Sequence, residues 1–114
     1  MKQKCIERIC NLTNAFNQGD ISFDTLLRES QFQLFYKEIK TGDIIKDLQI
    51  YPDLVDDWKR YSDDKGTSGG FYYRSKHIGS VEDKTFDKTF NSDIEACSEY
   101  ILKEISFWLH INHE

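Results

Sequence analysis

The stretch from Leu54 to Tyr73 constrains the fold more than any other part of the chain, because its hydrophobic pattern changes from helical to strand-like. Four apolar residues recur there at helical spacing, namely Leu54, Val55, Trp58 and Tyr61. This spacing favours a position in the core for Trp58 and Tyr61. The consecutive aromatic residues Phe71-Tyr72-Tyr73 are typical of a β-strand. The stretch therefore predicts a helix, a turn and a strand in that order.

Residues with strong backbone preferences set the expected ends of this helix. Pro52 suits the first helical position, because the N–H that it lacks would have no partner there. Ser62-Asp63-Asp64 compete for backbone hydrogen bonds, and Gly66 tolerates a positive φ. We therefore expect the helix to end near Tyr61 and a turn to follow.

Helical periodicity also covers the first half of the chain. It predicts a helix from about Lys2 to Asn17 ended by Gly19, a short helix capped by Ser22, a helix over Phe32 to Ile39, and a helix from Thr41 to Tyr51. The dense aromatic residues of the third segment also permit a strand there.

The second half predicts a small hairpin and a long helix. His77 to Val81 can pair with the aromatic strand, and Glu82 to Phe90 is either a loop or a third short strand. Ser92-Asp93-Ile94-Glu95 has the form of a capping box that starts a helix running to about Ile111. With 114 residues the chain is large enough for one core. The sequence predicts a single, mainly α (α+β) domain with an antiparallel β-hairpin before the C-terminal helix.

The acidic residues are concentrated in two segments. Residues 43–64 and residues 82–104 each contain seven acidic and three basic residues. Residues 65–81 contain only basic charges, at Lys65, Arg74 and Lys76. Like charge raises the cost of approaching phosphate, so the acidic segments disfavour nucleic acid and favour a basic protein as the partner.

The cysteines and the apolar runs indicate where the protein resides. Cys5, Cys10 and Cys97 are odd in number, form no Cys-x-x-Cys pair and lie within apolar helical stripes. We expect them to be buried thiols in a reducing compartment. The N-terminus has no apolar run typical of a secretory signal, and no segment is apolar over the length of a membrane span. The sequence predicts a cytoplasmic protein.

The sequence gives little support for catalysis, a metal or a cofactor. His110 and His113 are spaced to share a metal ion, but without further ligands a terminal helical pair is the better interpretation. Asp56-Asp57 and Asp63-Asp64 are adjacent pairs that point in different directions on a helix, which is typical of a solvated face. Gly69-Gly70 leads into a strand, which does not fit a phosphate-binding loop. We expect a protein that is not an enzyme.

Two blocks of the sequence resemble a known family. The run Trp58-x-x-Tyr61-Ser62-x-Asp64-Lys65-x-Thr67-Ser68-x-Gly70-Phe71-Tyr72 resembles small bacterial immunity proteins of contact-dependent growth inhibition systems. Ser92 to Cys97, Tyr100-Ile101 and Glu104-Ile105 resemble the last helix of the same proteins. The resemblance leads us to expect arginine and tryptophan where this chain has Gly66 and Phe71. Ser62, Asp64, Lys65 and Thr67 are expected to stabilise the turn, so the motif indicates a scaffold more than a binding site.

The resemblance implies a monomer that binds a cognate toxin domain in a 1:1 complex and neutralises it. A toxin that cleaves RNA or DNA needs a basic groove for phosphate, and acidic helices can cover such a groove. The expected charge complements are Asp53, Asp56, Asp57, Asp63 and Asp64, with Tyr72 or Tyr73 as an aromatic anchor.

Two alternatives use the same residues differently. The first is an acidic adaptor or regulatory subunit of an endogenous cytosolic protein, which would share the scaffold and the acidic surface but have no toxin partner. The second is a small hydrolase that uses His77 with nearby carboxylates, which requires a concave pocket around that histidine.

Overall fold

The structure is a computed structural model that describes residues 2–19, 21–66 and 68–111. Thr67 of the motif and His113 of the histidine pair lie outside these residues. The Cα radius of gyration is 12.9 Å, close to the value typical of a globular domain of about 100 residues. Within the described ranges, no helix has both the length and the apolar character needed to cross a membrane.

Helices make up most of the described part of the chain. They are α1 (Lys2–Cys10), α2 (Leu12–Gln18), α3 (Phe23–Glu29), α4 (Phe32–Phe35), α5 (Thr41–Ile50), α6 (Asp53–Lys65) and α7 (Asp93–Trp108). An antiparallel sheet lies between α6 and α7 in chain order, with strands β1 (Phe71–Arg74), β2 (His77–Ser80) and β3 (Asp87–Thr89). The fold is mainly α with a small antiparallel sheet before the C-terminal helix, as the sequence predicts.

The sheet extends the predicted hairpin by one strand. Phe71 pairs with Ser80 and Arg74 with His77, so a tight turn at residues 75–76 connects β1 to β2. The third strand, β3, pairs with β2 and falls in the segment for which a loop was the alternative. Ser75 in the turn has a φ of 53°, a left-handed conformation that is common in tight hairpin turns.

The C-terminal helix α7 is the central packing element, as its apolar stripe predicts. It packs against α5, α6, β1 and β2, and Ile101 and Ile105 are fully buried. The predicted cap is present, because the Oγ of Ser92 accepts the N–H of Glu95 at 3.2 Å. The helix ends at Trp108, earlier than expected, where His110 adopts a φ of 57°.

Helix α6 is one turn longer than its local sequence suggests. The predicted end at Tyr61 is wrong, since the helix continues to Lys65 and Gly66 ends it with a φ of 57°. The Oγ of Ser62 accepts the backbone N–H of Tyr73 at 2.8 Å. Because the Ser62 side chain is bonded to β1, it does not compete for the backbone hydrogen bonds of α6. Pro52 lies just before the helix rather than in its first position.

Two predicted helices in the first half are interrupted. The first is divided at Asn11, whose side chain accepts a hydrogen bond from Asn14 at 2.9 Å. The segment predicted to be helical up to Ile39 forms a helix only to Phe35, because the next residues turn toward the extended start of α5. Ile39 is still fully buried, so its apolar character correctly indicated burial but not helix.

Candidate functional site

Helix α6 has two chemically different sides. Leu54, Trp58 and Ser62 are buried on one side. A period of 3.6 residues places the aspartates on the other side. This surface, called the acidic face below, consists of Asp53, Asp56, Asp57, Asp63 and Asp64. All five are exposed except Asp57, which is half-buried. The structure therefore brings together all five aspartates that the sequence predicted as charge complements.

The acidic face is only slightly neutralised by its surroundings. Asp57 makes an ion pair with Arg60, whose Nη1 lies 3.3 Å from its Oδ1. Within the described ranges, the other four aspartates make no ion pair. Because the Arg60 side chain is 61% exposed, the surface presents four exposed carboxylates, the half-buried Asp57 and one guanidinium. The surface carries a net negative charge that a basic partner can complement.

The position of these charges along α6 also matters. Asp53 and Asp56 lie in the first turn, where the helix dipole favours negative charge. Asp63 and Asp64 lie near the negative end, where the same dipole disfavours them. Lys65 in the last turn points inward, with a side-chain exposure of 9%, and does not shield them. The C-terminal half of the acidic face is therefore placed where it lowers the stability of the helix.

A groove of about 850 Å³ lies beside the acidic face, between α1 and the junction of α5 with α6. We call it the junction groove. Asp53 and Asp57 line one side of it, and Lys4 and Arg8 of α1 line the other. Tyr51, which is 56% exposed, lies on the rim. The groove therefore joins part of the acidic face to an exposed aromatic ring.

Tyr73 is not part of a surface, and its prediction as an aromatic anchor is wrong. Its exposure is 1%, its ring stacks on Tyr100 at 5.7 Å, and its hydroxyl donates to the Oδ1 of Asp93 at 3.0 Å. Burial, with Cys97 and Asp93 nearby, raises the pKa of Tyr73. Alternation along β1 points this side chain into the core, which leaves Tyr72 on the other side of the strand.

Tyr72 is half-buried in a cluster on the hairpin. Its ring lies against the backbone of Gly79, its partner across the sheet. The guanidinium of Arg74 is 5.6 Å from the ring centroid, and the ring of His77 is 5.9 Å away. In the part of the chain that the structure describes, no hydrogen bond, ion pair or ring contact connects Tyr72 to the acidic face. Tyr72 and the aspartates therefore form two separate surface features.

The sequence motif converges on Glu104, a fully buried residue of α7. Its Oε2 accepts hydrogen bonds from the Tyr61 hydroxyl at 2.7 Å, the Lys65 ammonium at 2.6 Å and the Trp108 indole N–H at 2.7 Å. Its Oε1 accepts the backbone N–H of Phe71 at 2.9 Å. One carboxylate therefore connects α6, β1 and two turns of α7.

The hydrogen-bond network around Glu104 explains why glycine and lysine occupy their positions in the motif. The Lys65 ammonium also donates to the backbone carbonyl of Gly69 at 2.6 Å. Burial lowers the pKa of Lys65, and the ion pair with Glu104 opposes this effect. Gly70 has a φ of 72°, and a Cβ there would meet Glu104 Oε1 at 2.6 Å. The interpretation as a scaffold is confirmed for Ser62 and Lys65, although they stabilise a helix end and a strand rather than an early turn, whereas Asp64 is exposed on the acidic face.

His77 forms a cross-strand contact rather than the centre of a pocket. Its Nδ1 lies 3.0 Å from the Oδ1 of Asp87 on β3. It lines neither the junction groove nor the smaller grooves around Phe16 and Tyr61. A diagonal pair across neighbouring strands accounts for this geometry. Within the described ranges, no group of three or more His, Cys, Asp or Glu side chains is arranged to hold a metal ion.

No protein-family model, no curated protein and no solved structure matches this chain.

Sequence reasoning missed two buried carboxylates. Glu104 falls in the apolar stripe of α7, between Ile101 and Ile105, and an acidic residue in such a stripe is a signal for a buried polar network. Asp47 is 4% exposed and lines the junction groove, one helical turn before Tyr51. It lies next to Leu48 on the inward side of α5, and this was the only sign of its burial in the sequence.

Proposed function

We propose that this protein is a cytoplasmic immunity protein, which binds a cognate toxin domain as a monomer in a 1:1 complex and neutralises it. The observation that carries the proposal is the acidic face of α6, with four exposed aspartates that make no ion pair within the described part of the chain. The resemblance of the motif to immunity proteins of contact-dependent growth inhibition supports the same function.

The proposed mechanism is steric occlusion of a basic active site. A nuclease needs a positively charged groove to hold phosphate groups, and such a groove attracts the acidic face at long range. Once the helix is seated, the polynucleotide substrate cannot enter. No chemistry by the immunity protein is required, so the residues that matter are the aspartates of the acidic face.

The cost of the charges supports a binding role. Asp63 and Asp64 lie in a position where the helix dipole disfavours them. Natural proteins often keep residues that reduce stability where function needs them. A purely structural surface would gain stability from neutral or basic residues at these positions.

Growth rescue tests the function. The C-terminal toxin domain encoded next to this gene is expressed in a sensitive bacterium, with and without this protein. We expect rescue of growth and co-purification of the two proteins. If both proteins are soluble, the domain is toxic and growth is not rescued, the proposal is wrong and the adaptor of an endogenous protein becomes the better interpretation.

Binding kinetics test the role of the acidic face. The triple variant D56N/D63N/D64N should associate with the toxin domain about tenfold more slowly at low ionic strength and with a weaker dependence on salt. A matched control removes three exposed charges elsewhere, as E29Q/E38Q/E82Q. Equal association rates for the two variants would show that the acidic face is not the contact surface.

A further inference from the structure

The junction groove contains a carboxylate with an unused hydrogen-bonding atom. Asp47 is 4% exposed, and its Oδ2 has no hydrogen-bond partner among the residues that the structure describes. Buried polar atoms normally have partners, because leaving one unpaired costs about 1–3 kcal/mol. Asp47 also lines the junction groove, so a donor group that enters the groove can supply the missing hydrogen bond.

The basic residues of the groove do not provide this partner. Lys4 and Arg8 line the same groove, yet neither makes an ion pair with Asp47 within the described ranges. Arg8 instead donates to the backbone carbonyl of Glu29 at 3.4 Å. Burial raises the pKa of Asp47, and a hydrogen bond from the Cys10 thiol opposes this effect. A cation close to Asp47 would therefore stabilise the ionised form of its carboxylate.

The mouth of the groove also favours a cation. Asp53 and Asp57 belong to the acidic face and line the groove above Asp47. Tyr51 and Ile50, which are 56% and 67% exposed, add apolar surface beside these carboxylates, and Asp47 makes the inner end acidic. A long side chain with an apolar stem and a cationic head can contact the apolar side chains and the carboxylates at the same time.

We propose that the junction groove receives an arginine side chain of the protein partner, with its guanidinium between Asp47 at the inner end and Asp53 and Asp57 at the mouth. Arginine fits better than lysine, because its planar group stacks on an aromatic ring such as Tyr51 and donates to several carboxylates at once. Because the Oδ2 atom of Asp47 is buried, neighbouring side chains have to move for the guanidinium to reach it. The inference rests on the proposed function, since the arginine belongs to the toxin domain.

The first experiment uses the toxin complex. D47N should bind the toxin domain at least about tenfold more weakly than the wild type, and Y51A should weaken binding in the same direction. The Y51A variant keeps the carboxylate and changes only an exposed residue, so it remains informative if D47N folds poorly. The control is L34A, because Leu34 is 67% exposed and does not line the groove. Unchanged affinity of Y51A, and of D47N if it is folded, would overturn the inference while leaving the immunity function intact.

The second experiment does not depend on the toxin. N-acetyl-arginine amide is titrated into the wild-type protein while backbone amide shifts are recorded by NMR. We expect shifts concentrated at Asp47, Tyr51 and Asp53, and smaller effects with the lysine and norleucine analogues. Shifts that are equal for the norleucine analogue, or larger for the lysine analogue, would contradict the assignment of an arginine site.

Discussion

Glu104 accepts four hydrogen bonds in the interior, so a single carboxylate determines how α6, β1 and α7 meet. All four partners are donors, and both oxygens of an ionised carboxylate act only as acceptors. An amide has only one acceptor oxygen, and its NH₂ group would face other donors. The site is therefore specific for an acidic residue.

Replacing Glu104 by glutamine should lower the free energy of unfolding by about 3–5 kcal/mol, because the Lys65 ammonium loses its buried counter-charge. Urea unfolding followed by circular dichroism measures this loss. Glu99 of the same helix pairs with Lys103 at 3.6 Å near the surface, so E99Q should change stability by less than about 1 kcal/mol. Similar losses in both variants would contradict the proposed role of the network.

Gly79 provides a second test at this scale. The ring of Tyr72 lies where its Cβ would be, so G79A should destabilise the protein by about 1–3 kcal/mol through overpacking. Gly42 of α5 has open space around it, so G42A should instead stabilise by up to about 1 kcal/mol. Thermal unfolding of the two variants compares them directly. In the background Y72A the effect of G79A should largely disappear, and a persistent loss would exclude the ring as its cause.

Individual buried polar residues were the part of the structure least accessible from sequence. Ser62 was expected to end a helix because its local preference favours a turn, but a bond from the distant Tyr73 amide reversed that preference. The burial of Asp47 and Glu104 depends on partners far away in the chain. Hydrophobic periodicity predicts which side of a helix faces the core. It does not predict which polar atoms form hydrogen bonds there.

At the scale of elements, α6 illustrates how a helix can serve the core and the surface separately. The core side is fixed by Trp58, whose indole N–H donates to the Cys10 carbonyl at 2.9 Å. Among the residues that the structure describes, the acidic side makes no comparable contact with the core. Its charges at the two ends of α6 have opposite effects on the stability of the helix. This difference can be measured.

The two ends of the acidic face should respond oppositely to neutralisation. D63N/D64N should raise the free energy of unfolding by a few tenths of a kcal/mol, because it removes negative charge near the C-terminal end of the dipole. D53N/D56N should lower it by about 0.3–1 kcal/mol for each residue in the first turn. Urea unfolding at low ionic strength compares the pairs. A change of the same sign in both pairs would rule out the dipole explanation.

The start of α5 predicts a dependence on pH. The hydrogen bond from the Lys40 amide, at 2.9 Å, lowers the pKa of Asp43, and Lys2 adds an ion pair at 3.3 Å. Because the pKa in the folded state lies below the unfolded value, this stabilisation is present above about pH 4 and is lost as the pH falls through the folded value.

The variant D43N should therefore be less stable than the wild type by about 1 kcal/mol at neutral pH, and the difference should shrink on acidification. Urea unfolding over a pH series measures it, with E38Q as the exposed control. A difference that stays constant down to about pH 2 would exclude the titration of Asp43 as its origin.

Element type was largely predictable where the signal is local. The cap at Ser22, whose Oγ accepts the Thr25 amide at 3.2 Å, depends on residues three positions apart, and so does the cap at Ser92. The five aspartates of the acidic face were predicted as charge complements from the acidic composition of the segment, but their shared side was not predictable, because α6 was expected to end before Asp63 and Asp64. Helix α4 was overestimated, since the turn after Phe35 depends on where α5 must begin.

At the scale of the whole molecule, the three cysteines report on the integrity of the core. Cys5, Cys10 and Cys97 are buried free thiols on α1 and α7, as the sequence predicted. Burial raises the pKa of Cys5 to about 11, and it raises the pKa of the other two as well. The reactive thiolate form is therefore scarce in the folded protein.

Labelling with a thiol reagent should accordingly be slow in buffer and fast in denaturant, where all three cysteines react. The native-state rate should follow the unfolding equilibrium, so that E104Q labels faster than E99Q. Mass spectrometry counts the labelled thiols over time. Rapid labelling of one cysteine in the stable wild type would reveal a local opening that the packed core does not predict.

The two sides of α6 also have a genetic consequence. The interior contacts and the outward aspartates alternate within one helix of 13 residues, so each can mutate without the other. Under the proposed function, a short run of codons is then enough to recode the surface that a toxin recognises, while every buried residue is retained. On the same proposal, we expect a library randomised at the outward codons of α6 alone to yield new binding specificities on an unchanged core.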